Sequence, residues 1–231
     1  MFNISRLAEN GFDKIILVDE RTNCRAEILP GCGAILNAFV VKQADNEINV
    51  VEGYESGEDF DKNVEAKGFR SAKLSPFVCR LHNGSYQFGK TNYQVGSFYL
   101  DRHAIHGLIY KAAFRVSKLK KSKKSASAEL EYKYREAGKG FPFAYDCTVK
   151  YELKTGNRLI ISTRIVNKGK TSMPITDGWH PYFSFGKKVD EVEMRMRIKK
   201  MVEFDEELIP TGKLLPYRQF KSFAKIGDAV F

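Results

Sequence analysis

Hydrophobic and polar positions alternate along much of this chain with a period of two, most cleanly in its middle third. Ala126, Ala128, Leu130, Tyr132 and Tyr134 fall on one face, and Ser127, Glu129, Glu131, Lys133 and Arg135 on the other. Successive side chains of a strand point to opposite sides of its sheet, so this pattern predicts a strand with one buried face. Cys147, Val149, Tyr151 and Leu153 oppose Thr148, Lys150 and Glu152 in the same way, and a KTGN turn leads on into the apolar RLIISTRIVN. That combination predicts a β-hairpin. Val192, Met194, Met196 and Ile198 alternate with Glu193, Arg195, Arg197 and Lys199, which predicts a further half-buried strand and makes its methionines core packing.

Nearer the N-terminus, the apolar run Lys14 to Asp19, the turn-like ERTN and the stretch Cys24 to Leu29 predict an opening hairpin. The glycines of PGCGAIL lack the third member of a dinucleotide-binding fingerprint, so a tight turn between strands explains them. Residues 45–72 are acidic, polar and aperiodic, which predicts a loop or a short helix; Glu58, Asp59 and Asp61 there are read as surface carboxylates. Asn83–Gly84, flanked by apolar and aromatic residues, predicts a hairpin turn, and a second turn follows at Gly89 and Lys90. Many short alternating strands, joined by Gly, Asn and Pro turns without a long amphipathic helix, predict an all-β chain built as an antiparallel β-sandwich. With 231 residues and neither repeat nor linker, one domain over 1–231 is expected.

Composition refines this picture. At 43% hydrophobic and 13% aromatic residues the chain has the makings of a packed core, which excludes extended disorder. A formal charge of +10 raises the question of a polyanionic partner. The cations are spread along the chain, and no zinc-finger spacing, RNP-type aromatic motif or basic helix with heptads accompanies them, so no nucleic acid is expected. The densest run, Lys118 to Lys124, reads as a solvated hairpin tip, with attraction to a phosphorylated substrate as the other reading. Cys24, Cys32, Cys79 and Cys147 form no CxxC pair and signal neither zinc nor a disulfide framework. The first residues lack the apolar core of a signal peptide, and no run has the length of a membrane span. A cytoplasmic protein with no membrane association is expected, and the NGS sequon at Asn83 then carries no glycan.

The chemistry concentrates in DGWHPYFSF, Asp177 to Phe185, where the chain's single tryptophan precedes His180 and Pro181 follows it. An imidazole can give and take a proton near neutrality, and aromatic neighbours suit a sugar face. The alternative is a turn at Asp177 and Gly178 followed by a hydrogen-bonded core histidine. Arg80 offers a planar fork of donors suited to hydroxyl groups, or a surface salt bridge. His106 stands before Gly107 at the head of an apolar run.

These segments together resemble the aldose 1-epimerase (galactose mutarotase) family, in particular its divergent bacterial members. The resemblance runs through PGCGAIL, CRLHNGSYQF with GKTNYQV, HGL at His106, RIVNKG, MPITDGWHPYFSF and the later IPTG at Ile209 to Gly212. It implies a large antiparallel β-sandwich of the galactose mutarotase-like supersandwich kind, and interconversion of the α and β anomers of an aldose without metal or organic cofactor. It assigns His180 as the acid that protonates the ring oxygen, with His106 and Arg80 binding the sugar. Cys79 stands where galactose-type members have asparagine, which leaves the sugar open. The family's general base is a glutamate well beyond IPTG, and this chain reaches Phe231 with no matching residue; Glu203, Glu206 and Glu207 resemble nothing catalytic, and Asp228 lies near the end. The expectation is therefore a sandwich domain without the family's C-terminal segment, monomeric or homodimeric. Its partner would be a small-molecule sugar or sugar phosphate. The readings kept open are an aldose 1-epimerase-like isomerase, a non-catalytic carbohydrate-binding protein of the same fold, and a hexose 6-phosphate 1-epimerase.

Overall fold

The alternating residues form the facing sides of two sheets. In the computed structural model, which describes residues 1–227, β1 (Phe2–Glu9), β2 (Phe12–Asp19), β3 (Cys24–Leu29), β4 (Ile35–Gln43) and β5 (Asn46–Asn49) make one antiparallel meander. The chain then passes through helix α1 (Gly57–Asn63) and the short strands β6 (Lys73–Leu74), β7 (Arg80–Leu81), β8 (Ser85–Phe88), β9 (Thr91–Gln94), β10 (Tyr99–Leu100) and β11 (His103–Ile105). A second meander follows, of β12 (Arg115–Lys121), β13 (Ser125–Tyr134), β14 (Tyr145–Lys154) and β15 (Arg158–Asn167). The described chain ends with β16 (Gly178–Trp179), β17 (Glu193–Met194), β18 (Lys200–Phe204), β19 (Pro210–Pro216) and β20 (Ala224–Lys225).

Burial along β14 alternates at every residue, so its Cys147, Val149, Tyr151 and Leu153 face inward. They meet Ala126, Ala128 and Leu130 of β13 and Ile15, Leu17, Ala26 and Ile28 of the first sheet in one apolar cluster. Area removed from water on these inner faces is the main force holding the layers together. A polar bond crosses the same interface: the hydroxyl of fully buried Tyr151 donates to the Ala34 carbonyl at 2.7 Å. The turn receiving it comes close to the loop that follows β11. Gly33 has φ +67°, and a Cβ there would stand 2.1 Å from the Tyr110 carbonyl oxygen, so only glycine fits.

The β2–β3 and β14–β15 hairpins and the Pro30 turn stand as the pattern predicted, whereas of the lysine-rich run only Ser122 to Lys124 make the β12–β13 tip and Lys118 to Lys121 pair within β12. The aperiodic stretch contains strand β5 and the short helix, capped by the Ser56 hydroxyl on the Asp59 amide. The acidic residues there serve the helix: Asp59 pairs with Lys67 at 2.6 Å and Glu58 with Lys62 at 2.5 Å.

Three expectations are corrected. The first sheet begins at Phe2, a strand earlier than predicted, because Asn10 and Gly11 both adopt positive φ and close a β1–β2 hairpin. Asn83–Gly84 does not close a hairpin. Arg80–Leu81 instead pairs with Ala104–Ile105, and the hairpin of this region is β8–β9, turning at Gly89 and Lys90. A long-range strand partner has here overridden a local turn signal. Of the predicted strand over 192–199, only Glu193 and Met194 pair, with β20, although exposure alternates from Val192 to Met196.

Replacing Tyr151 by Phe leaves the Ala34 carbonyl buried without its donor. The substitution is expected to lower stability to urea by about 1–3 kcal/mol, whereas Tyr99→Phe, at a residue that is 37% exposed, is expected to cost less.

Candidate active site

A single backbone segment, residues 71–81, organises the site. At its start the Ser71 amide donates to the His180 carbonyl at 2.9 Å and the His180 amide donates to the Ala72 carbonyl at 3.1 Å. Lys73 and Leu74 then pair with Trp179 and Gly178, so the DGWH stretch lies on this segment as strand β16 and not as a turn. Further along, the Leu108 amide donates to the Ser75 carbonyl at 2.7 Å, and the His106 amide to the Cys79 carbonyl at 3.0 Å. Gly107, φ +83°, passes so close that a Cβ would stand 2.2 Å from the Ser75 oxygen. Finally Arg80 pairs with Ile105 in register.

The result is a cleft of about 300 Å³ lined by Cys79, Arg80, Ile105, His106, His180, Phe204 and Leu208. All three residues singled out in the sequence, His180, His106 and Arg80, therefore meet in one cavity. The two imidazoles lie 5.0 Å apart, centroid to centroid, and are inclined at 70°. His180 stacks on Tyr182 at 5.4 Å, and His106 meets the edge of Phe69 at 4.6 Å. Ser71, Cys79 and His106 all take left-handed backbone angles, φ +55°, +57° and +60°. Such angles cost residues other than glycine about 1–3 kcal/mol each and persist where surrounding bonds enforce them.

Electrostatics follow from burial. Desolvation, and after it the neighbouring His180 and Arg80, push the His106 imidazole down to about 4. Burial also lowers His180. Both rings are thereby biased toward the neutral form at pH 7. His106 Nδ1 is buried and, among the described residues, has no hydrogen-bond partner. Cys79, in the same wall, is raised by burial and favours the thiol.

The far wall comes from the β18–β19 hairpin. At its tip the Asp205 carboxylate accepts the Glu207 and Ile209 amides at 3.0 and 2.9 Å, a turn that presents Leu208 to the cleft. Arg80 Nη1 donates to the Glu207 carbonyl at 2.5 Å, and the Glu207 side chain forms an ion pair with Arg102. His82 and His103 bring ring nitrogens within 4.0 and 3.5 Å of the same carboxylate. Nothing in the spacing of residues 82, 103 and 207 announces this group.

Its three donor atoms lie within 4.8 Å of one another, as in a metal site. However, His103 Nδ1 accepts the Asn83 backbone N–H at 3.0 Å, which leaves the ring proton on Nε2, the atom that would need a free lone pair. The Nε2 contact with Arg102 Nε, at 3.4 Å, is too long to decide otherwise. The hairpin tip is anchored by the Arg80 bond to the Glu207 carbonyl and the Arg102 ion pair with its carboxylate. Asp228, noted in the sequence, lies outside the described residues.

The family model described as aldose 1-epimerase matches residues 14–230. Among solved structures, galactose 1-epimerase from Lactobacillus acidophilus NCFM superposes with a TM-score of 0.78 at 16% identity, covering 99% of this chain and 68% of that one. A galactose mutarotase-like protein from Clostridium acetobutylicum superposes with a TM-score of 0.78 at 22% identity, covering 93% of this chain and 65% of its own. Bifunctional protein GAL10 of Kluyveromyces lactis is 21% identical over 199 residues, 82% of this chain and 28% of that protein. The chain thus belongs to the aldose 1-epimerase family and has the galactose mutarotase-like β-sandwich fold. It spans about two thirds of the length of those structures and little more than a quarter of the curated relative. No helix among the described residues is long and apolar enough to cross a membrane.

His106 makes stability pH-dependent. Between pH 6.5 and about 4 the unfolded chain binds a proton here that the folded chain refuses, so stability is fully present above pH 6.5 and falls as pH drops through that window. The shift is worth on the order of 3 kcal/mol. Urea unfolding at about pH 7 and about pH 4.5 is expected to show a smaller difference for His106→Gln than for the wild type.

Proposed function

We propose that the cleft is the sugar site of an aldose 1-epimerase-type isomerase, in which His180 protonates the ring oxygen while His106 and Arg80 orient the hydroxyl groups. The observation that carries this reading is the pair of imidazoles 5.0 Å apart beside an arginine, with apolar walls at Ile105, Phe204 and Leu208. A pyranose has the matching chemistry, with hydroxyl edges for the polar groups and C–H faces for the apolar ones.

Anomerisation moves two protons and one bond. A base takes the proton of the anomeric hydroxyl, the bond from C1 to the ring oxygen breaks, and an acid delivers a proton to that oxygen. The open-chain aldehyde then turns about C1–C2 and closes on the other face by the reverse transfers. His180 can act as the acid only when it carries the imidazolium proton, which its burial disfavours. The protonated fraction, and with it the rate, is therefore tied to pH.

A second reading is favoured by one feature: among the described residues, none of those lining the cleft is a carboxylate. A chain that binds the sugar through His106, Arg80 and His180, but draws on no base of its own, would be a carbohydrate-binding protein of this fold. Four free cysteines suit the reducing cytoplasm for either.

Polarimetry on freshly dissolved α-glucose, α-galactose and α-glucose 6-phosphate separates the readings. Mutarotation of one sugar above the buffer rate is expected, with His180→Ala lowering kcat about 10²- to 10⁴-fold and Arg80→Met weakening affinity by about 1.5–3 kcal/mol. Saturable binding without acceleration would leave the binding reading in place of the enzyme. The enzyme reading also predicts that kcat/KM rises as pH falls from about 8 towards the depressed pKa of His180, and a profile that rises with pH would exclude His180 as the acid.

A further inference from the structure

Lys73 is 0% exposed, an unusual place for an ammonium. Burial lowers its pKa, and the Asp177 carboxylate opposes that shift. Its Nζ lies 2.5 Å from Asp177 Oδ1, donates to the Gly178 carbonyl at 3.1 Å and stands 4.9 Å from the centroid of the Trp179 ring. Three successive residues thus converge on one cation, and the next residue is His180.

The strand that delivers His180 is only two residues long, paired as Gly178 with Leu74 and Trp179 with Lys73. Backbone bonds flank this ladder at Ser71, Ala72 and His180 on one side and from the Thr176 amide to the Pro76 carbonyl on the other. Backbone groups, however, repeat along any strand and do not by themselves choose a register, and a slip of one residue would send every side chain to the opposite face. A buried ion pair is a poor source of stability compared with apolar residues of the same volume, but its donors and acceptors have direction. The ammonium meets a carboxylate and a carbonyl from consecutive residues, and a shifted strand would forfeit both.

We propose that Lys73 is a positioning residue of this site. Clamped by Asp177 and the Gly178 carbonyl, it fixes the register of the 177–180 segment on β6 and so directs the His180 imidazole into the cleft beside His106. The inference rests on the reading of His180 as the proton donor.

The test is the nuclear Overhauser contact between the His180 and His106 rings in the full chain, compared in wild type, Lys73→Met and Asp177→Asn. The second variant keeps the shape of a side chain that is 27% exposed and stays informative if Lys73→Met fails to fold. The contact is expected to weaken or vanish in each folded variant while the amide signals of β12–β15 stay in place. With a responsive sugar, kcat is expected to fall about 10²-fold with KM little changed, as a misplaced catalytic group predicts. An unchanged ring contact in a folded variant would overturn the proposal. If the wild type accelerates no sugar, the enzyme reading fails by itself, and the ring contact still decides whether Lys73 sets the position of His180.

Discussion

The constraint on which this structure depends is the backbone of residues 71–81, which is bonded along its length to the strands on either side of it. Its first residues hold the carbonyl and amide of His180, its middle holds Leu108 and leaves room only for glycine at 107, and its end holds the His106 amide and carries Arg80. Three side chains distant in sequence become neighbours because one short stretch is hydrogen-bonded to all of their strands. The left-handed angles at Ser71, Cys79 and His106 are the local cost of that arrangement. The sandwich behind, with β13 and β14 packed on the first sheet, supplies the rigid wall against which such angles can be kept.

Burial sets the chemistry of the cleft as much as geometry does. Phe69 and Ile105 are buried beside His106, while Phe204, Leu208 and Tyr182 form a partly exposed rim around the half-buried His180 and Arg80. Burial makes each charge harder to sustain, which lowers both imidazoles and favours their neutral forms. The Arg80 guanidinium's bond to the Glu207 carbonyl ties the cleft to the hairpin that forms its far wall.

Much of this was legible in the sequence, for physical reasons that differ from segment to segment. The alternation of β13 and β14 is a direct print of one buried face, and the structure reproduces it at every residue of β14 and in β13 up to Glu131, with Tyr132 only half-buried. His180, His106 and Arg80 were recognisable from residue type and from resemblance to a family, though not from spacing, since nothing local says that residues 80, 106 and 180 share a cavity. Asn83–Gly84 misled because a turn signal is local whereas the partner of Arg80–Leu81 lies more than twenty residues away. The Glu207 anchor and the burial of Lys73 were invisible for the same reason: each joins residues separated by a hundred positions or so, and each looks in sequence like an ordinary surface charge.

The most direct measurement of the central claim is a titration of the four histidine rings with sugar, followed in ¹H–¹⁵N spectra. The His106 and His180 signals are expected to move together along one saturation curve, because both rings line the same cleft. The claim would be contradicted if neither ring responded to any sugar, or if only His82 and His103 did.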